Sequence, residues 1–409
     1  MESVVDILIV GAGVSGLTTA LALHKLGFRS LVLESSDNLR DSGFHLSIWT
    51  NAWKAFDEIG IGDSLRQQHV QITGMASSSM ISGLPTSQIS LSGISSNGYH
   101  EVRRVLRKNL LGALENELPN GTIRYSSKVV SIEESGYFKK VYLADGFILK
   151  AKVLIGCDGV NSVVAKWLGF KKPALDGRCE IKGYASFKEG HGLGPDFQHF
   201  FGKGATCGVI PSDDKNVYWF FTYNLSIQDR DFGDDPAKMK EFVLKKIGEV
   251  PGQIMYIIEN TKLEDIARYQ LNFRPPWEVL WGSICKDNVC IAGDALHPMT
   301  PDIGQGGGSA AEDGITLARC LAEALSKKSV EHGFLSAKEE YERIKIGLNN
   351  YGRERRWRGF ELISTSYMIG WIANADWKLM TVLRDKVLAP YLLGLKLKKA
   401  DFDCGKLIT

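Results

Sequence analysis

Val4-Val5-Asp6-Ile7-Leu8-Ile9-Val10 runs without interruption into Gly11-Ala12-Gly13-Val14-Ser15-Gly16, and Leu17 to Leu26 follow with apolar residues at Leu17, Ala20, Leu21 and Ala22. The first stretch reads as a buried parallel strand and the last as a helix closed by Gly27. A G-x-G-x-x-G turn between a strand and a helix has a mechanism. The first glycine permits the tight turn, the second lets backbone approach a pyrophosphate, and the third lets helix pack on strand, with the helix N-terminus facing the anion. Val14 and Ser15 lie inside this turn and are counted with it. Ser30 to Glu34 reads as the next strand, and Glu34 stands 18 residues beyond Gly16, near the spacing at which an acid bonds the adenosine ribose hydroxyls. A ribose 2′-phosphate would be repelled there. An unliganded glycine-rich turn and a solvated surface glutamate are the bland alternatives, and nothing in this stretch separates NAD from FAD.

Composition narrows the classes. With 409 residues, 44% of them apolar and 23% charged, the chain has material for two or three domains with a large core. Its 49 basic and 47 acidic residues leave a formal net charge of +2, so no global field argues for nucleic acid or an anionic membrane. The seven cysteines are scattered and never spaced C-x-x-C, and the eight histidines show no metal-binding spacing. No metal is expected, and a reducing, cytoplasmic setting fits best. No apolar run reaches the ~18 residues of a spanning helix. Val387 to Leu395 is apolar enough to raise peripheral membrane contact, with packing against the main body as the favoured reading.

Along the chain, Asn51 to Ile59 and Arg107 to Leu118 read as helices, the second with its stripe at Leu110, Leu111, Leu114 and Leu118. The polar stretch from Ser64 to Ser96 reads as irregular connections or short strands. Lys128 to Ile132, Val141 to Leu143 and Phe147 to Leu149 form a meander with Asp145-Gly146 as its turn, and Val153 to Cys157 resumes the buried-strand pattern. Between Asp176 and Cys285 the strands alternate and are rich in aromatics. One helix there starts at Asp235 as N-cap with Pro236 behind it. Val217 to Tyr223 carries bulky residues on both faces and should be covered on both sides. Asn288 to Ala292 is another short buried strand, and a glycine-rich turn then leads into a long helix ending near Lys327. The last ~75 residues are helical by composition.

Two further segments decide between dinucleotides: Gly156-Cys157-Asp158-Gly159-Val160-Asn161-Ser162, and Gly293-Asp294-Ala295-Leu296-His297-Pro298 continuing to Pro301-Asp302-Ile303-Gly304-Gln305-Gly306-Gly307-Gly308. With Gly11 to Gly16, in this order, they resemble the aromatic-hydroxylase (group A) family of flavoprotein monooxygenases, which holds p-hydroxybenzoate and salicylate hydroxylases and zeaxanthin epoxidase. The likeness covers nearly the whole chain and is nearest to a plant branch. It implies FAD as cofactor, with NAD(P)H and O2 as co-substrates. By the same resemblance Asp294 bonds the ribityl chain and Asp158-Gly159 is the second fingerprint. Arg107 opens a helix contacting the phosphates or ribityl, with Arg103 and Arg104 as competitors, and Val130 joins the cofactor contacts. Gly304, Gly306 and Gly307 begin a helix whose positive end faces the flavin pyrimidine edge.

The chemistry implied is the cofactor's: a C4a-hydroperoxyflavin delivers one oxygen atom, hydroxylating or epoxidising a small apolar metabolite, aromatic or prenylated. No protein nucleophile is needed. His45, in Gly43-Phe44-His45-Leu46, is a candidate base for a phenolic substrate, with a structural histidine as the alternative. Trp49, Phe200, Phe201, Trp219, Phe221 and Pro301 are candidates to line a substrate pocket, against plain core packing. The expected fold class is α/β, a doubly wound FAD-binding domain with a β-rich substrate domain and C-terminal helices. The expected division is 1–175 and 286–352 for the FAD domain, 176–285 for the substrate domain and 353–409 for the helices. Rival readings are a flavin reductase or halogenase on the same scaffold, although the W-x-W-x-I-P stretch of halogenases is lacking, and a non-catalytic binding protein.

Overall fold

The protein is described from a computed structural model covering residues 3–39, 45–91, 94–95, 98–225, 233–326 and 336–407. Ser3–Val10 sits inside an eight-stranded sheet, paired in parallel with Ser30–Leu33 on one side and Ile148–Gly156 on the other. Both neighbours hide its hydrogen-bonding edges, and helices cover its faces, so Ile7, Leu8 and Ile9 are buried whichever way they point. Helix Val14–Lys25 packs beside the long helix Gly306–Ser326 on this sheet.

Ile148–Gly156 joins two kinds of sheet. Its first half pairs antiparallel with Phe138–Leu143, which continues to Val129–Ser135, and its last three residues pair in parallel with Val289–Ile291. The sequence gives two strands here, Phe147 to Leu149 and Val153 to Cys157, whereas the chain runs straight through as one of nine residues. Lys150, Ala151 and Lys152 carry no turn residue that would break it.

The second sheet has seven strands, in the order Ile266–Phe273, Ala174–Ser186, Asn216–Asn224, Ala205–Pro211, Phe197–Phe201, Gly74–Ser79, Pro85–Ser90. The last two come from the polar stretch read as part of the first unit. Gly74–Ser79 pairs in parallel with Phe197–Phe201, over a hundred residues away, so its partner was invisible to a local pattern. Helix Pro236–Lys246 begins as expected, with Asp235 Oδ1 accepting from Ala237 N at 2.9 Å. With helix Gly252–Glu259 it covers one face of this sheet. Val217, Trp219, Phe221 and Tyr223 point into that layer, against Met239, Val243, Ile254 and Ile258. Tyr218 and Phe220 point to the opposite face.

Helix Ala337–Ala373, capped reciprocally by Ser336 and Glu339, spans 37 residues, so the boundary drawn at 352 falls inside one helix. The apolar stretch Val387 to Leu395 is two-sided. Ala389, Leu392 and Leu393 are buried and Val387 and Tyr391 are exposed. Among the described residues no helix is long and apolar enough to cross a membrane.

Candidate active site

A cavity of about 910 Å³ opens between the two sheets, and all three glycine-bearing segments reach it. At one end Gly11 takes φ +102°, and a Cβ there would stand 2.4 Å from the Cys157 carbonyl oxygen, so no other residue fits without moving backbone. Beside it, the Cβ position of Gly13 has nothing within 4 Å. Glu34 closes this end: its Oε2 accepts from Ala12 N and its Oε1 from Ser36 N, both at 2.9 Å, and from Ser35 Oγ at 3.1 Å. Burial alone would raise the Glu34 pKa, but these donors outweigh it and hold the carboxylate below its ordinary value. Oε1 thus accepts twice and Oε2 once, so Oε2 keeps a lone pair for a hydroxyl donor.

Asp294 lies on a helical turn after Val289–Ile291 with its carboxylate open to the cavity. Burial raises its pKa, opposed by His297 and Arg107. Arg107, first residue of helix Arg107–Asn116, lines the same wall, and its buried Nε has no partner among the described residues. Gly304, Gly306 and Gly307 line the cavity where the long helix starts. Asp158 and Gly159 also reach it, yet the Asp158 carboxylate accepts from Ser162 Oγ at 2.5 Å and Val163 N at 2.7 Å. Its first task is to hold the turn after the strand. Val14 and Ser15 line the cavity, whereas Val130 does not. It is 49% exposed on the outer side of its strand, and its neighbour Val129 takes the lining position.

Behind the Gly293–His297 turn lies a buried charge network that the sequence reading did not find. Asp313 Oδ2 accepts from Gly293 N at 2.7 Å and meets His297 Nε2 at 2.6 Å, while Arg355 Nε reaches Oδ1 at 2.6 Å. Glu312 meets Arg355 and Arg358 at 2.7 Å each, and Asn51 Nδ2 joins it to Gln305. Burial would raise both acids; the cations reverse this and hold Glu312 and Asp313 at about 2. Paired carboxylates at Glu312-Asp313 inside an apolar helix were the available signal.

The other end of the cavity is walled by the second sheet. Trp49 and Pro301 line it as expected. Trp219, Phe221, Phe201 and Phe200 do not. Trp219 is fully buried under the helices and donates to Thr261 Oγ1 at 2.8 Å, with Phe221 and Phe200 in the same core, and Phe201 packs against Ala373 and Ala389. Along a strand successive side chains alternate, so the lining set is the other parity: Tyr218, Phe220 and Thr222, with Phe197, His199 and Ile210 from neighbouring strands. A sequence bulky at every position gave no means to choose between the faces.

His45 also lines this end, stacked on Tyr184 with ring centroids 5.0 Å apart. Burial and the nearby Arg104 pull its pKa down to about 3. An imidazole this reluctant to take a proton is a poor general base near neutrality. Gly43 and Phe44 lie outside the described residues. Arg104 faces the hollow too, its guanidinium 4.3 Å from the Tyr218 ring centroid, and Lys396 enters from the C-terminal helix Ala389–Ala400. Among the described residues no cluster of three His, Cys, Asp or Glu side chains gathers as a metal site.

The three segments thus converge on one cavity, and residues 4–347 match the model of a family described as an FAD binding domain. The chain belongs to this family of flavoprotein monooxygenases. This flavoprotein is 51% identical to "Monooxygenase 2" of Arabidopsis thaliana over 98% of both chains, and 31% identical to "Monooxygenase 1" of the same plant over 98% of this chain and 99% of that one. Among solved structures its fold is similar to that of Klebsiella pneumoniae HpxO complexed with FAD and uric acid, at TM-score 0.79 and 22% identity, covering 98% of this chain and 96% of the other.

Proposed function

We propose that the protein is an NAD(P)H-dependent monooxygenase that inserts one atom of O2 into a small, ring-bearing metabolite, by hydroxylation or epoxidation, in a reducing cytoplasmic setting. The observation that supports this most is the continuity of the cavity: a dinucleotide crevice runs directly into a hollow walled by Tyr218, Phe220 and Trp49. When bound, FAD reduced by NAD(P)H supplies activation of O2.

The residues fit that cofactor. Gly13 leaves room for a pyrophosphate, Arg107 Nε, without a partner among the described residues, offers it a donor, and Glu34 Oε2 has a lone pair left for a ribose hydroxyl. Asp294 faces the cavity for the ribityl hydroxyls, and the positive end of helix Gly306–Ser326 favours negative charge on a ring beside it. Around the substrate the chain's task is to exclude water and hold a ring in place. Trp49, Phe197, Tyr218 and Phe220 supply apolar walls for both.

Purified protein tests this directly. It is expected to be yellow, to oxidise NAD(P)H faster when its substrate is present, and to yield a product heavier by one oxygen atom. Colourless protein that takes up no FAD, or oxidation that yields peroxide alone for every ring compound in a broad phenolic and prenylated panel, rejects the reading.

A further inference from the structure

The charged groups at the substrate end of the cavity do not balance. Lys182 is neutralised by Glu180 at 2.8 Å, and Arg178 lies between Asp176 and Asp302 at 2.5 and 2.8 Å. Among the described residues two cations are left over. Arg104 is buried, and among the described residues its guanidinium donates only to neutral acceptors, Ser47 Oγ at 2.7 Å and the His45 carbonyl at 3.0 Å, while its Nε has none. Lys396 is 7% exposed and lines the cavity, and among the described residues its ammonium has neither a hydrogen-bond acceptor nor a carboxylate in ion-pair range.

An ammonium buried without a partner is costly, and such lysines are rare in protein interiors. Lys396 also breaks a pattern. Leu392, Leu393, Leu397 and Ala400 make the buried stripe of its helix, where another leucine would pack at less cost. Leu393 and Leu397 share one apolar cluster with Tyr218, the ring beneath Arg104, so the two cations serve the same hollow. Burial pulls Lys396 down to about 8, with Asp302 opposing, which leaves it mostly charged at neutral pH. His45 and His199 are pushed toward the neutral form by burial and by these cations. The hollow is therefore apolar in its walls and positive in its field.

We propose that Lys396, together with Arg104, recognises the substrate, and that the substrate is a planar molecule carrying a carboxylate or an ionised hydroxyl. This rests on the monooxygenase reading and narrows its substrate from a ring-bearing metabolite to an anionic one. The anion completes the coordination of both cations, and the aromatic walls hold its ring. The C-terminal helix thereby supplies a specificity-determining residue.

The test uses FAD-loaded protein titrated with 2-naphthoate and with its neutral isostere 2-naphthamide, followed by the visible absorbance of the flavin and by calorimetry. The acid is expected to bind at least roughly tenfold more tightly, the size of one hydrogen bond to a charged group. K396M should abolish the difference while keeping FAD content and flavin absorbance maximum, and K396R should restore part of it. An acid bound no more tightly than the amide, including the case in which neither binds, overturns the proposal. So does a K396M protein that keeps the preference, or one whose flavin spectrum changes while the preference stays. Failure to take up FAD is seen before any titrant is added and sinks the monooxygenase reading itself.

Discussion

His297 Nε2 lies 2.6 Å from Asp313 Oδ2, the same oxygen that accepts the Gly293 N–H, so one carboxylate fixes both ends of the turn that carries Asp294. The network behind it is fully desolvated, and its members support one another only while complete. Geometry at the cavity is thus set by side chains that never reach it.

Asp313→Ala leaves Arg355 and His297 without their shared acceptor in a dry interior. Breaking a buried pair in this way costs about 3–5 kcal/mol. Urea denaturation should show a loss of that order, and Asp313→Asn a smaller one. A loss below about 1 kcal/mol would mean that the network relaxes freely.

The same acids set a pH dependence. Glu312 and Asp313 sit at about 2 in the folded chain, against ordinary values of 4.5 and 3.8. Protons therefore bind the unfolded chain more readily, and the stabilisation is fully present above about 4.5. It is lost as pH falls from there toward 2. Denaturation midpoints should fall across that interval in the native protein and fall less in Glu312→Gln. Equal slopes in the two proteins would refute the assignment.

Arg107 and Glu34 separate cofactor binding from folding. Arg107 Nε has no acceptor among the described residues, so Arg107→Met should leave the melting temperature of cofactor-free protein little changed and weaken FAD binding by roughly 10- to 100-fold, the worth of one or two charge-assisted contacts. Glu34→Ala should weaken FAD comparably and also loosen the Ala12 turn. Fluorescence of released flavin reads both affinities, and unchanged values would remove these residues from the cofactor's contacts.

Strand parity gives the last comparison. Phe220→Ala enlarges the hollow and should change which ring compounds bind, with little loss of stability. Trp219→Ala empties a fully buried site and strips Thr261 of its donor, costing about 3–5 kcal/mol. Equal stability losses in the two variants, measured by denaturation, would contradict the two-faced strand.

That Gly11, Glu34 and Asp294 line one cavity was legible because the requirements at that end are local. A turn that only Gly11 can make, an acid one strand later at Glu34, and Asp294 after a short buried strand are each set by neighbours in sequence. The substrate end was not, because lining depends on which face of a strand meets the hollow. Trp219 and Tyr218 are adjacent and both bulky aromatics, and only the helices packed on one side make the first core and the second wall. Val130 and Val129 differ in the same way.

By itself the sequence determined the class of fold and which glycine-bearing segments line the cavity, since glycine spacing and runs of apolar residues act through the backbone over a few residues. Tertiary structure decided that a polar stretch near residue 80 completes the second sheet, that Asp313 and Arg355 brace the Asp294 turn, and that Lys396 reaches the cavity from the far end of the chain. These are contacts between segments tens to hundreds of residues apart, and no local preference encodes which distant partner a strand edge or a buried charge will meet.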